Sequence, residues 1–387
     1  MKNKDTVRVV IFSSWFYPIV GGAERQSQQL AESLIALGID VRVITRHYPN
    51  LKRCENINNV AIYRLPCLSK FKFLEKITFF LSSLFYLIRH RNEYDIIHTY
   101  ILDSQAIVTA IIGFIFGKVT LIKIGNGGYC GDMARCQSLF GKMKLRFVVR
   151  CVDAFVVTSM NIKDELLQNS IPQEKIHLIS TAVNTDKFCP VDKKVQKELR
   201  GNLTIPDVFV AIFLGRLVPQ KGVDTLLAAW EKAFKGSTRA VLVVAGDGSE
   251  RVKLEELVHS LGISETVLFK GMVSNVEHYL QSADVYISSS RAEGLSNSFL
   301  EAMASGLAII ATDTGGASDL INDGENGFVF AINDRDALSE YLVRLEKERE
   351  LVRSLGNAAY LSVKEKYSFS CVVEENINLY NSLLPGK

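Results

Sequence analysis

Short runs of β-branched and other apolar residues alternate with helix-length stretches along this chain, and the alternation occurs twice. The first series is VRVVIF (7–12), VRVIT (41–45), DIIHTY (95–100), VTLIKI (119–124), AFVVTS (154–159) and KIHLIS (175–180). The second is VFVAIFLG (208–215), AVLVVAG (240–246), TVLFKG (266–271), DVYISSS (284–290) and LAIIAT (307–312). Strands that alternate with helices pair in parallel. The pattern therefore predicts an α/β chain with two doubly wound parallel sheets.

The length of the chain agrees with two domains, because 387 residues exceed one ordinary compact domain. Residues 187–207 combine two prolines, a glycine and dense charge without a strand, which is typical of a linker. We therefore expect domains at 1–190 and 191–367. Residues 368–387 are expected to form a closing helix that packs back toward the first domain.

The cysteines and the first residues bear on location. Seven cysteines are scattered, with no CxxC pair and no histidine at metal-ligand spacing, which is typical of reduced thiols. Arg8 interrupts the first apolar run and no small-residue cleavage site follows, which favours a first strand over a signal peptide. The sequence predicts a cytoplasmic protein.

Charge is divided unevenly between the halves. Residues 1–190 hold 24 Lys+Arg against 15 Asp+Glu, or +9, and the remainder is −6. Residues 70–91 and 133–150 mix aliphatic and aromatic residues with five cations each, but their apolar runs are too short to span a bilayer. They predict either a helix pair lying on an anionic membrane surface, at the inner face of the plasma membrane, or ordinary helices with a basic edge. No nucleic acid is expected as a partner.

Two glycine-containing loops follow strands and are candidates for phosphate binding. Gly21-Gly22 precede a helix that begins near Ala23, where backbone N–H groups and the helix dipole favour an anion. The dinucleotide fingerprint GxGxxG is absent from this loop, which argues against a dehydrogenase. In the second half, Gly215 is followed by Arg216 and Lys221 on one loop, and two such cations suit a diphosphate.

An acidic loop follows the strand at 284–290. It reads RAEGLSNSFLEAMASG and places Glu293 over the sheet and Glu301 inside a helix, with Ser296 or Asn297 as the N-cap. Backbone N–H groups from Gly294 and Leu295 to Asn297 would then point toward a phosphate.

The ordered set GGAE, GRLxxxKG, AGDG, E-x7-E and TDTGG resembles glycosyltransferase family four over nearly the whole chain. The resemblance implies the GT-B fold, in which two Rossmann-like domains face each other across a cleft. It also implies transfer of a sugar from a nucleotide diphosphate donor with retention of configuration.

In that family the residue matching Glu293 lies beside the donor sugar, and the one matching Glu301 accepts from the ribose hydroxyls. Arg216 and Lys221 would hold the diphosphate, and Gly22 would approach the same phosphates. No cofactor and no metal are expected, because neither an Asp-x-Asp motif nor a His/Asp cluster provides an evident metal site.

The acceptor side departs from the family pattern. A family His-x-His is here His98-Thr99-Tyr100, so a sugar contact would fall to Tyr100 and His98 would be structural. The segment from Lys123 through Asn126 and Gly127 replaces a His-Gly turn and is expected to line the acceptor side. The acceptor is expected to be a glycan or lipid-linked molecule of cell-surface polysaccharide synthesis.

Two other functions remain open from the sequence. A sugar-nucleotide epimerase shares this fold but needs no basic, aromatic acceptor domain. A catalytically silent nucleotide-sugar binding protein would have no use for Glu293, Arg216 and Lys221 together.

Overall fold

The computed structural model describes residues 7–18, 21–68, 72–128 and 131–384. The chain divides into two compact units, of which the first comprises Met1–Thr181 with Phe369–Lys387 and the second Ala182–Ser368. Each unit is a mainly parallel sheet with helices between its strands. The predicted pair of doubly wound α/β domains is confirmed.

The first unit contains eight described strands and six helices. The strands are β1 (Arg8–Phe12), β2 (Asp40–Arg46), β3 (Cys54–Ile57), β4 (Val60–Leu65), β5 (Ile96–Tyr100), β6 (Val119–Ile124), β7 (Ala154–Val157) and β8 (Ile176–Leu178). The helices are α1 (Gly22–Ala36), α2 (Lys72–Arg89), α3 (Ser104–Phe116), α4 (Leu139–Cys151), α5 (Met160–Gln168) and, from the end of the chain, α14 (Phe369–Leu383).

The sheet of the first unit runs in the order β3-β4-β2-β1-β5-β6-β7-β8. All pairs are parallel except β3 with β4, which form an antiparallel hairpin at the sheet edge. All six predicted strands are found, whereas β3 and β4 were not predicted. The sequence CENI of β3 is polar and half exposed, as suits an edge strand, and so gives no apolar signal.

The second unit contains the remaining elements. Its helices are α6 (Lys193–Asn202), α7 (Val223–Phe234), α8 (Arg251–Leu261), α9 (Val276–Ser282), α10 (Asn297–Ala304), α11 (Gly316–Leu320), α12 (Arg335–Lys347) and α13 (Arg349–Lys366). Its strands are β9 (Phe209–Leu214), β10 (Ala240–Ala245), β11 (Val267–Gly271), β12 (Val285–Ser288), β13 (Ala308–Thr312) and β14 (Phe328–Phe330), in the order β11-β10-β9-β12-β13-β14. Apolar side chains fill both faces of this sheet, as burial beneath helices on both sides requires.

The segment predicted as a linker belongs to the second unit. Val183 and Phe188 are buried in the core of that unit, and α6 occupies much of 187–207. Arg200 on α6 is buried, and its Nε donates to the carbonyl of Ser282 at 2.8 Å. The first unit therefore ends at Thr181 rather than at 190, because residues 182–190 pack into the second core.

The closing helix α14 is part of the first unit, where it packs against α1. Its Tyr380 is buried, and the hydroxyl lies 2.7 Å from Nδ1 of His98 on β5. No helix in the described residues is long and apolar enough to cross a membrane. The six cysteines among the described residues are free thiols, and the seventh, Cys130, lies outside those residues.

Candidate active site

Loops from the carboxyl ends of four adjacent strands, β10, β9, β12 and β13, meet at one edge of the second sheet. Gly246, after β10, lies against the carbonyl oxygen of Gly215, so closely that a Cβ at 246 would collide with it. Gly315, after β13, has φ +50° and lies in the same way against the carbonyl oxygen of Glu293. These glycines bring the predicted cationic and acidic loops together at the edge where doubly wound folds bind ligands.

The side chains of Lys221 and Glu293 form an ion pair between Nζ and Oε1 at this edge. The other carboxylate oxygen, Oε2, accepts from the hydroxyl of Ser290 at 2.8 Å. The side chains of Lys221 and Glu293 are 14% and 18% exposed, so the pair is only partly screened by solvent. The structure thus places two predicted site residues, 72 residues apart in sequence, in direct contact.

Arg216 lies on the same loop but is exposed, and within the described ranges its guanidinium makes no hydrogen bond or ion pair. Arg291 contrasts with it. The guanidinium of Arg291 donates to the carbonyl of Pro219 at 2.6 Å and pairs with Asp224 at 2.6 Å. Arg216 therefore remains free to meet an anion, whereas Arg291 fixes the loop that carries Lys221.

Gly222 ends the cationic loop in the left-handed region, with φ +61°, and lies against the carbonyl oxygen of Ser289. The hydroxyl of Ser289 donates to the carbonyl oxygen of Lys221 at 3.0 Å. Gly215 lies near the same side chain, since a Cβ there would stand 3.8 Å from Cε of Lys221. The backbone around Lys221 is thus held from the strand that precedes Glu293.

Helix α10 carries the remaining donor-side residues. Ser296 is its N-cap, and the hydroxyl accepts from the N–H of Phe299 at 3.2 Å. Of the two predicted N-cap residues, the structure therefore has the first, and the helix begins at Asn297. Leu295 is buried beside Gly316, and Gly294 accepts from the N–H of Gly316 at 3.4 Å. Glu301, in the second turn, is buried. A carboxylate there lies inside the helix layer, as the sequence predicts.

Helix α1 begins at Gly22, with Gly21 as N-cap in an extended conformation, one residue before the expected start. The carboxylate of Glu24 in the first turn folds back against Gly21. An acidic group at this position is stabilised by the positive end of the helix dipole. The helix start that the sequence predicts as an anion site is present in the first unit.

Of the residues predicted for the acceptor side, Tyr100 ends β5 and is 2% exposed. Asn126 and Gly127 follow β6, and the carbonyl oxygen of Asn126 accepts from the N–H of Asp132 at 3.2 Å. A Cβ at Gly127 would stand 2.9 Å from Cγ1 of Ile162, so this loop packs closely on α5. The loop lies at the carboxyl edge of the first sheet.

Three residues of the site in the second unit were not predicted as site residues: Ser290, Arg291 and Gly315, the last of which lies in the TDTGG motif. Arg291 contacts residues about seventy positions away, and the role of Gly315 depends on its backbone angle and on Glu293. Ser290 contacts Glu293 only three residues later. A run of three serines before Arg291 was the available sequence signal. Across the described part of the chain, no group of three or more His, Cys, Asp or Glu residues is arranged to hold a metal ion.

Two family models match the chain. Residues 20–187 match the model described as glycosyltransferase family 4, and residues 195–362 match the model described as glycosyl transferases group 1. Each match falls mainly within one structural unit, and between them they span most of the chain.

Similar proteins include an uncharacterised glycosyltransferase of Methanocaldococcus jannaschii, 28% identical over 95% of this chain and 96% of that protein. The alpha-monoglucosyldiacylglycerol synthase of Acholeplasma laidlawii is 26% identical over 94% of this chain and 96% of its own length. A solved structure, HepE of Anabaena in complex with UDP-glucose, superposes with a TM-score of 0.81 at 17% identity, covering 97% and 99% of the two chains. The fold of this chain is therefore GT-B.

Proposed function

Because this chain belongs to glycosyltransferase family four through both of its domains and is a transferase, we propose that it moves a sugar, with retention, from a nucleoside diphosphate sugar to a membrane-associated acceptor. The acceptor class is a glycan or lipid-linked molecule of cell-surface polysaccharide synthesis. No cofactor or metal is part of the proposal.

The observation that carries the donor class is the cluster of Lys221, Glu293 and Ser290, together with the exposed Arg216 on the loop that carries Lys221. A diphosphate has two neighbouring anionic groups, which suit one ammonium and one planar guanidinium. When the diphosphate leaves, negative charge grows on it, and cations fixed nearby stabilise that charge without reorganising. The fold neighbour HepE, solved with UDP-glucose, supports the same donor class.

In the proposed mechanism, Glu293 faces the hydroxyls of the donor sugar and Ser290 orients its carboxylate. Glu301 on α10 accepts from the ribose. The acceptor hydroxyl attacks from the face of the leaving group, and the leaving phosphate takes its proton, so no second catalytic carboxylate is needed. Arg216 and Lys221 then hold the nucleoside diphosphate product.

Helices α2, α3 and α4 support a membrane acceptor. Helix α2 packs on α3 and α3 on α4, and each exposes large apolar side chains besides those it buries in the core. We call this the α2–α4 surface; its exposed large apolar residues are Phe73, Leu74, Ile77, Leu81, Phe85, Phe114, Ile115, Leu139, Phe140, Met143 and Phe147. Many exposed apolar residues on packed neighbouring helices are typical of interaction sites. The exposed cations on α2 and α4 favour an anionic lipid surface at the inner face of the plasma membrane.

We expect the full chain to co-sediment with anionic vesicles, but not with neutral ones, and to dissociate at high salt. Each Lys or Arg near an anionic surface contributes about 1 kcal/mol, and salt screens that attraction. Replacing Lys142, Arg146 and Arg150 with Ser should reduce the bound fraction severalfold. Lys144 is left unchanged because its Nζ donates to the carbonyl of Leu102 at 3.0 Å.

A matched control replaces Lys232, Lys235 and Arg239 of the second unit with Ser, which removes the same charge from another surface and should leave vesicle binding unchanged. Equal binding of the wild type to both kinds of vesicle, or binding to neither, would contradict the membrane proposal.

Gly315→Ala is expected to lower the rate of sugar transfer about tenfold or more. The new methyl group would collide with the carbonyl oxygen of Glu293 and displace the acidic loop. Gly324→Ala is the matched control, since Gly324 also has positive φ, +78°, but a Cβ there meets no atom within 4 Å. Steady-state kinetics and thermal unfolding of both variants separate loop displacement from backbone strain. Equal loss of transfer in the two variants would attribute the loss to backbone strain rather than to a collision with the Glu293 loop.

One incubation distinguishes the proposed function from its alternatives. Wild-type protein is mixed with UDP- or GDP-sugars that carry a label in the sugar, with and without membrane lipid extract. A transferase moves the labelled sugar to the extract, an epimerase converts the donor without extract, and a silent binding protein does neither. We expect transfer that depends on the extract.

A further inference from the structure

A cluster of buried polar side chains lies at the carboxyl ends of β5 and β6 in the first unit. Tyr100 and Lys123 are paired neighbours in the parallel register, and His98 precedes Tyr100 by two residues on the same face of the sheet. The rings of His98 and Tyr100 stack with centroids 5.2 Å apart. Nζ of Lys123 lies 5.6 Å from the Tyr100 centroid.

Polar atoms of this cluster lack partners. Nε2 of His98 and the hydroxyl of Tyr100 are buried and make no hydrogen bond among the described residues. Within the same described ranges the ammonium of Lys123 makes no hydrogen bond or ion pair, although the residue is only 7% exposed. Buried polar groups are nearly always paired, so two buried atoms without partners, next to an unpaired ammonium, call for an explanation.

Other lysines of the first unit show that pairing is the ordinary arrangement. Nζ of Lys118 donates to the carbonyl of Tyr94 at 2.8 Å, and Nζ of Lys175 donates to the carbonyls of Val149 and Val152 at 2.8 and 2.7 Å. Lys123 differs from them because an aromatic ring, rather than a carbonyl oxygen, lies beside its ammonium.

The cluster is rich in donors. Burial lowers the pKa of Lys123 to about 8, which leaves the ammonium protonated at pH 7, and lowers the pKa of His98 to about 3, which leaves the imidazole neutral. In the tautomer where the hydroxyl of Tyr380 donates to Nδ1 of His98, Nε2 carries the proton. Lys123, Tyr100 and His98 then offer N–H and O–H groups with no acceptor to receive them. A buried cation without an anion destabilises the fold.

We propose that His98, Tyr100 and Lys123 form a phosphate-binding site for the acceptor. The site lies at the sheet edge where doubly wound folds bind ligands, beside the loop of Asn126 and Gly127 that follows β6. A phosphate accepts from an ammonium, a hydroxyl and an imidazole N–H together. The inference rests on the proposed function, because it assigns the phosphate to the acceptor. The bound phosphate group is part of either a phosphorylated lipid or a soluble sugar phosphate.

The test measures binding of inorganic phosphate to the full chain by isothermal titration, at constant ionic strength. Both the reference protein and its variants carry Arg216→Ala and Lys221→Met, so that the proposed donor site does not contribute. Lys123→Met should weaken phosphate binding at least tenfold, and Lys123→Arg should retain part of it. Lys175→Met, which removes a paired lysine from the same unit, should leave phosphate binding unchanged. Phosphate affinity that is unaffected by Lys123→Met would overturn the proposal.

Geranyl phosphate and glucose 1-phosphate then distinguish the two sources. Tighter Lys123-dependent binding of geranyl phosphate indicates a lipid phosphate, and tighter binding of glucose 1-phosphate indicates a soluble acceptor. Failure of both compounds to bind would overturn the assignment to the acceptor.

Thermal unfolding gives a readout that a merely structural lysine would move the other way. In phosphate-free buffer, Lys123→Met should raise Tm by about 2–4 °C, because it removes a desolvated charge. A lower Tm would show that Lys123 stabilises the fold through Tyr100 and would overturn the proposal. The phosphate site and the proposed function can fail separately. Phosphate binding that depends on Lys123, without sugar transfer, would refute only the proposed function. Sugar transfer, with phosphate binding that does not depend on Lys123, would refute only the phosphate site.

Discussion

Lys221→Met and Arg216→Ala are each expected to lower kcat for sugar transfer by two or more orders of magnitude. Both cations are proposed to stabilise charge on the departing diphosphate, and removing one such group costs about 10²–10³ in kcat. The sugar-transfer rate at saturating donor and acceptor measures the loss. Arg216→Lys should fall between wild type and Arg216→Ala, because it keeps the charge but loses the planar fork.

The ion pair predicts a difference between the two cations. Arg216 has no partner within the described ranges, whereas Lys221 neutralises Glu293. Lys221→Met therefore removes a cation from the diphosphate and also leaves the carboxylate of Glu293 without its counter-ion, so kcat should fall further in Lys221→Met than in Arg216→Ala. The double variant Lys221→Met/Glu293→Gln should lose less than the two single losses combined, because the substitutions act on one contact.

Lys235→Met is the control for these variants, since Lys235 pairs with Glu231 on the exposed face of α7. Its transfer rate should equal that of the wild type. Circular dichroism and Tm check that each variant is folded. Rates within threefold of wild type for both Lys221→Met and Arg216→Ala would refute the assignment of the diphosphate site.

The two carboxylates should fail in different ways. Glu301→Ala is expected to weaken donor binding about 10–100-fold with a smaller effect on kcat, because a hydrogen bond to a charged group contributes about 1.5–3 kcal/mol. Glu293→Gln is expected to lower kcat at least tenfold with donor affinity nearly unchanged, because its carboxylate faces the reacting sugar. Titration calorimetry with the donor and single-turnover kinetics measure the two effects separately.

Glu256→Gln on the exposed face of α8 is the control for the carboxylates and should change neither quantity. Unchanged donor affinity in Glu301→Ala would contradict the ribose contact. Unchanged kcat in Glu293→Gln would remove Glu293 from the chemistry.

Most strands were predictable because a strand that is buried on both faces of a parallel sheet is continuously apolar, although β8 and β11 are only partly buried. β9 and β10, for example, are buried along their whole length. The edge strand β3 gave no such signal. The segment 187–207 was misinterpreted as a linker because composition alone does not reveal that Arg200 is held by the carbonyl of Ser282.

The donor-side residues were predictable because their order along the chain resembles a family pattern. The sequence did not reveal how they are held. The position of Lys221 depends on Arg291, which contacts Pro219 and Asp224 about seventy residues away. Contacts of that range follow from the sheet order, in which β9 lies beside β12, and no local pattern reports that order.

The central claim is that the second unit binds a nucleoside diphosphate sugar through Lys221 and Arg216, and a thermal-shift panel tests it most directly. The full chain is heated alone and with UDP, GDP, ADP, their sugars and the corresponding monophosphates. A ligand at 100 times its Kd contributes about 2.7 kcal/mol, which should raise Tm by about 5–10 °C. We expect one nucleoside diphosphate and its sugars to raise Tm, the monophosphate to do so less, and Lys221→Met to abolish the shift. A panel in which no diphosphate raises Tm, or in which Lys221→Met responds as the wild type does, would contradict the account.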